Sequence, residues 1–197
     1  MQTIGGFDPA LTARGITWYN VVSVPLVNQL DFDYKPSIST YWAISLTGLS
    51  IGDGKQALNS TMEGGPAAIF DHASRGRGLP LSTDAYANLV NMTNAKLLPP
   101  DSPILSSPPN NGGGQLYSVN CRRAEQMPII RYTFHGSSKQ WEVAPDAYVV
   151  NENGVCVLNV RAVGTGSFGY GNFGEDFLKG KYVVFDFERR RVGLAEL

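Results

Sequence analysis

A mostly β fold is what this sequence predicts, and three observations predict it. Turn formers are abundant, with 22 Gly and 12 Pro among 197 residues, more turn chemistry than a helical bundle wants. Apolar residues come in short runs rich in β-branched and aromatic side chains, with turn formers between them. Hydrophobic residues make up 43% of the chain against 17% charged, enough to build a core and too little charge for disorder. The length suits one domain, taken here as residues 1–197.

The elements follow in order. Residues 16–26 (ITWYNVVSVPL) have the β-branched and aromatic content of a strand. Residues 41–51 (YWAISLTGLSI) alternate in a hairpin-like pattern, with a turn expected near Gly48. The short apolar run Ala67–Phe70 (AAIF) predicts a buried strand that delivers Asp71 to a loop. A helix is expected over residues 82–98, with Ser82 as N-cap and Ala85, Leu89 and Val90 on one face. Residues 99–114 hold five prolines and the run NNGGG, so they predict one long surface loop. Short strands are expected at 116–120, 129–134, 141–144, 148–150 and 155–160. Residues 164–172 are Gly-rich, 176–179 suit one helical turn, and 182–187 with 192–195 predict a closing hairpin. The Arg189-Arg190-Arg191 run falls at that hairpin's turn.

Charge and hydropathy exclude some functions. Lys and Arg number 16 against 17 Asp and Glu, for a net charge of −1, so nucleic-acid binding driven by bulk charge is not expected. No run of 18 apolar residues occurs, so no membrane span is expected. The two histidines, His72 and His135, and the two cysteines, Cys121 and Cys156, make no metal-ligand pattern. No metal and no cofactor are expected. The cysteines lie 35 positions apart. Two readings stay open for them: a disulfide, worth roughly 3–4 kcal/mol by chain entropy, or two separate buried thiols. Two glycosylation triplets begin at Asn59 and Asn91. Together these features lean toward a secreted, vesicular or vacuolar protein. The first ten residues, MQTIGGFDPA, show no apolar leader, so that reading expects a leader outside this sequence.

Few residues are suited to catalysis. No G-x-S-x-G occurs and only two imidazoles are available, which leaves little for Ser/His/Asp chemistry. The remaining candidate is an acid on a loop after a buried strand. Asp71 fits, followed by His72, Ala73 and Ser74 and then by Leu79-Pro80.

The order of these features resembles the C-terminal lobe of the pepsin-type aspartic proteases, most closely the secreted fungal members. GGFDPALTARGITWYNV resembles the opening of that lobe and YWAISLTGLSIGDGK the strands that follow. AAIFDHASRGRGLP lies where the family carries its second Asp-Thr-Gly-Thr/Ser motif. YSVNC and NGVCVL resemble its two cysteine segments. GNFGEDFLKGKYVVFDFERRRVGLAEL resembles its final block, in which an apolar-apolar-Gly element precedes a short helix and the last strands. The resemblance implies the second lobe of a bilobal acid-protease fold, mostly β with one or two short helices. It implies a Cys121–Cys156 disulfide. It places Asp71 as a catalytic carboxylate, and Ser74 keeps a hydroxyl that can hydrogen-bond it; His72, a departure from the family's pattern, is a separate acid/base candidate.

The family's reaction needs two carboxylates, one from each lobe, sharing a proton. One acts as base toward a water that attacks the peptide carbonyl, the other as acid. This sequence supplies one of the two. Its motif departs from the family's: His72 stands in place of Thr, Ala73 in place of Gly, and Arg75 and Arg77 at positions that are usually small or apolar. A guanidinium near a shared-proton pair opposes the sharing.

Three functions follow as expectations. The first is an acid endopeptidase completed by an N-terminal lobe, or by a second copy of the chain in a self-dimer. It expects residues 16–24 and 192–197 to be exposed as unpaired edges or an apolar patch. The second is an inactive pseudoprotease whose cleft binds a peptide or protein client. The third is a different enzyme that reuses the cleft with Asp71 and His72. Glu175 and Asp176 are expected to stabilise a short helix from its N-terminus. Trp18, Trp42 and Trp141 are expected in the core or the cleft wall.

Overall fold

A computed structural model describes residues 5–22, 41–52, 54–56, 67–71, 78–102, 104, 115–163 and 171–197. In chain order the strands begin with β1 (Thr17–Asn20), β2 (Ala43–Ile51), β3 (Gly54–Gln56), β4 (Ala67–Phe70) and β5 (Leu79–Ser82). Helix α1 (Thr83–Met92) follows, then β6 (Lys96–Leu97), β7 (Tyr117–Val119), β8 (Ile130–Phe134) and β9 (Gln140–Val143). The single-turn helix α2 (Pro145–Tyr148) leads to β10 (Val149–Glu152), β11 (Val155–Leu158), β12 (Val160–Val163) and β13 (Gly171–Phe173). A second single turn, α3 (Glu175–Leu178), precedes the hairpin of β14 (Lys181–Asp186) and β15 (Arg191–Glu196).

The largest sheet runs β13-β4-β2-β8-β9, with β3 paired to β2. Strand β4 reads Ala-Ala-Ile-Phe with every residue buried, as befits a strand covered on both faces. Its partner β2 is antiparallel, whereas β13 is parallel. A second parallel pair joins β5 to β12. A four-stranded sheet β10-β11-β7-β6 carries the Cys121–Cys156 disulfide at its side, the pairing that the resemblance implied.

Strand β2 does not turn at Gly48. It runs on to Ile51 with a register shift between Leu46 and Gly48 against β8. A Cβ at Gly48 would lie 3.2 Å from that of Thr133, so the absent side chain lets the two strands approach at the irregularity. The hairpin comes four residues later, at Gly52 (φ 58°), where left-handed backbone suits Gly. Helix α1 starts as expected, with the Ser82 hydroxyl accepting from the Ala85 amide. It stops at Met92, short of residue 98, because Asn94 adopts a left-handed conformation (φ 50°) and β6 follows.

The core lies where the sheets meet. Phe70, Tyr132, Phe134, Phe173 and Phe177 form one aromatic group, with ring centroids 4.9–6.2 Å apart and mostly edge-to-face. Its polar tips are satisfied: the Tyr132 hydroxyl donates to the Pro80 carbonyl at 2.8 Å. The fully buried Trp141 donates its indole N–H to the Tyr19 hydroxyl at 2.7 Å. Trp18 and Trp42 are half-buried.

Of the two stretches expected as unpaired edges or an apolar patch, the first places β1 as an outer strand of its sheet, whereas the second is paired on both sides. Strand β15 is the middle strand of the sheet β1-β15-β14. Tyr19, Val192 and Leu194 point into the protein's own core. The alternate residues, Trp18, Gly193, Val184, Tyr182 and Ala195, share the opposite face by register. There Trp18, Val184 and Tyr182 are half-buried. Arg191 lies 3.9 Å over the Trp18 ring and pairs with Asp186 at 2.7 Å. The Arg189 amide first, and Arg191 second, hold the Asp186 carboxyl below the usual range. Residues 23 and 24 of the opening segment lie outside the described residues.

Candidate active site

Asp71 is the first residue after β4, and it is half-buried. The strand before it is held on both sides. The Phe70 amide donates to the Trp42 carbonyl at 2.8 Å, and the Asp71 amide to the Phe173 carbonyl at 3.2 Å. The carboxylate itself receives a bond: Asn172 Nδ2 donates to Asp71 Oδ2 at 3.2 Å. A loop acid is thereby fixed from a strand 101 residues away.

Strand β13 is placed in turn by β5 and β12. Gly171 has φ 101°, and a Cβ there would lie 2.9 Å from Arg161 Nη2 and 3.5 Å from side-chain atoms of Pro80 and Val163. Only glycine suits both the backbone and the space. Arg161 Nη2 donates to the Asn172 carbonyl at 3.4 Å. The two parallel pairs, β4 with β13 and β5 with β12, therefore meet next to Asp71.

His72 and Ser74 lie outside the described residues, as do Ala73, Arg75, Arg77 and Asn59. Sequence reasoning missed Asn172 and Arg161. A signal for Asn172 was present: the final block's apolar-apolar-Gly element reads Asn172-Phe173-Gly174 here, with an amide at its first position.

Glu175 and Asp176 do occupy the first turn of α3, but Asp176 is more than a helix-end acid. Both of its oxygens lie 3.1 Å from Asn159 Nδ2. Burial pushes its carboxyl up to about 6, Glu175 pushes the same way, and Asn159 and Arg161 pull down. It lines a cleft of about 590 Å³ with Asp146, Ala147, Val150, Glu175, Leu178 and Lys179. Lys179 bridges that cleft's edge to Asp146 at 2.8 Å. Asp71 is not among the cleft's lining residues. Among the described residues, no group of three or more His, Cys, Asp or Glu is placed to hold a metal ion. No described helix is long and apolar enough to cross a membrane.

A buried strand that ends in a carboxylate, clamped by a parallel strand from the far end of the chain, defines this as one carboxylate-bearing lobe of the acid-protease type. The family described as eukaryotic aspartyl protease matches residues 1–197, and the chain belongs to it. It is 44% identical to the aspartic protease-like protein pynH of Aspergillus niger and 43% identical to the aspartic protease-like protein pytH of Aspergillus terreus. It is 42% identical to a probable secreted aspartic protease of Arthroderma benhamiae. Each similarity covers 100% of this chain and 48% of the relative. The chain thus spans about half the length of the curated relatives it matches.

Proposed function

We propose that this chain is the second half of an acid endopeptidase-type protein and contributes Asp71 as one of its two catalytic carboxylates. The observation that carries this reading is the clamp on Asp71: a fully buried strand behind it, the Phe173 carbonyl on its amide, and the Asn172 amide on Oδ2. Such a clamp holds a carboxylate where a partner can share its proton. The other carboxylate comes from the part of the protein outside this sequence. The half-buried face of β1-β15-β14, with Trp18, Tyr182 and Val184, supplies an apolar surface for that part to cover. A self-dimer fits less well. In sequence Asp71 is followed by His72 and, three residues on, by Arg75, which would meet their own copies at a two-fold axis.

One observation favours a second reading, a pseudoprotease that binds a peptide or protein without cutting it. The residues after Asp71 depart from Asp-Thr-Gly, and Asn172 stands where an apolar residue is expected. Two of the relatives are themselves named protease-like. Secretion is part of the proposal, supported by the disulfide and by a relative named as secreted.

The test is peptide-bond cleavage at roughly pH 3–5 by the whole protein from its native source, beside an Asp71→Asn version. Cleavage that vanishes with the substitution supports the endopeptidase. Absence of cleavage in both supports the binding protein.

A further inference from the structure

We propose that Asn91 carries an N-linked oligosaccharide, attached before the C-terminal end of α1 closes. The acceptor triplet Asn91-Met92-Thr93 spans the end of that helix. Ala85 and Leu89 are the helix's buried residues. At about 100° per residue, Asn91 lies roughly 200° around the wheel from Leu89, and its side chain is exposed. A bulky sugar at this position disturbs no packing.

The rest of the triplet is locked. The Ala95 amide donates to the Val90 carbonyl at 3.0 Å and the Asn94 amide to the Asn91 carbonyl at 3.1 Å, the paired bonds of a Schellman motif closed by left-handed Asn94. Thr93 is the C-cap and is 9% exposed. Its hydroxyl donates to the Leu89 carbonyl at 2.7 Å and sits 3.3 Å from that of Val90. The hydroxyl that completes the acceptor in an extended chain is thus used up as a helix cap in the folded one. Transfer requires both the amide of Asn91 and the hydroxyl of Thr93 within reach of the transferase, so it precedes folding of this turn. Thr93 serves the two roles in sequence. The atoms balance as a condensation: the Asn91 amide nitrogen replaces the lipid-linked pyrophosphate at the sugar's anomeric carbon and gives up one proton.

This inference rests on the secretory part of the proposed function and not on peptide cleavage. Its test is glycopeptide mapping of the whole protein from a secreting fungal host, with and without peptide N-glycosidase. The expected result is a sugar-bearing peptide containing Asn91 that the glycosidase converts to the deamidated form. Asn91→Gln abolishes it, and Thr93→Ser, which keeps both triplet and cap, retains it. An unmodified Asn91 overturns the proposal. The state of Cys121–Cys156 in the same sample separates the causes: a formed disulfide shows that the secretory route holds and this site fails, a reduced pair that the route itself is wrong. For the order of events, sugar-free folded protein and a peptide of residues 82–98 are offered to microsomal transferase. Modification of the peptide alone is expected, and equal modification of both overturns the claim that folding closes the site.

Discussion

Replacing Asp176 by Asn removes a carboxyl that the fold prefers to keep protonated. The group is half-buried at the start of α3, with Asn159 as hydrogen-bond partner, Glu175 beside it and Arg161 in electrostatic reach. Its rise from the ordinary 3.8 to about 6 corresponds to about 3 kcal/mol at ~1.4 kcal/mol per pH unit. Water reaches part of the side chain, which reduces this to roughly 1–2 kcal/mol. The sign follows from linkage. A carboxyl raised in the folded state lends its stability in full below pH 3.8 and loses it as pH climbs through about 6. Asp176→Asn is neutral throughout and nearly isosteric. Urea titrations of the two chains are expected to agree near pH 3.5 and to diverge by roughly 1–2 kcal/mol in favour of the variant at pH 7.5. A constant difference across that range, or a variant weaker at pH 7.5, would refute the reasoning. It would mean that Asn159 and Arg161 hold the ionised form more strongly than burial opposes it.

Other substitutions test the packing. Converting Cys121 and Cys156 together to Ser and Ala opens a 35-residue loop and is expected to cost about 3–4 kcal/mol in urea unfolding under non-reducing conditions. Gly193→Ala places a Cβ 2.6 Å from Ile16 Cγ2 and 2.8 Å from the Trp18 ring. Overpacking of roughly 1–3 kcal/mol and altered Trp18 fluorescence are expected. Tyr19→Phe leaves the buried Trp141 N–H without its 2.7 Å acceptor, for a loss of about 1–3 kcal/mol by thermal melting.

The sequence makes some of these features legible because their causes are local. An unbroken run such as Ala67–Phe70 announces a strand covered on both faces, and a Ser before a periodic apolar face announces a cap. The stop of α1 was local too, but Asn94 is a weaker signal than Gly and the helix was expected to run on. Gly48 misleads because one residue type serves turns and irregular strands alike, and only the proximity of Thr133 on β8 decides. Asn172 left a mark in the sequence, the amide in an otherwise apolar element, but its role and that of Asp176 are set by residues elsewhere in the chain. The first acquires its role from a strand pairing 101 residues distant. The second acquires it from Asn159, which buries what a short helix by itself would leave in water.

The parallel pairing of β4 with β13, together with the antiparallel pairing of β1 with β15, has a consequence for how the chain is made. Asp71 leaves the ribosome about a hundred residues before the strand that clamps it, and β1 leaves well before β15, the strand that pairs with it. Such long-range closure is slow, since loop entropy is lost before any contact rewards it. Until then Ala67–Phe70 is an apolar strand with one side unpaired, open to wrong partners. A nascent chain stopped before residue 171 holds the carboxylate but cannot hold it still. Formation of the clamp therefore waits on β13, and a chain truncated before residue 171 lacks the Asn172 and Phe173 contacts to Asp71.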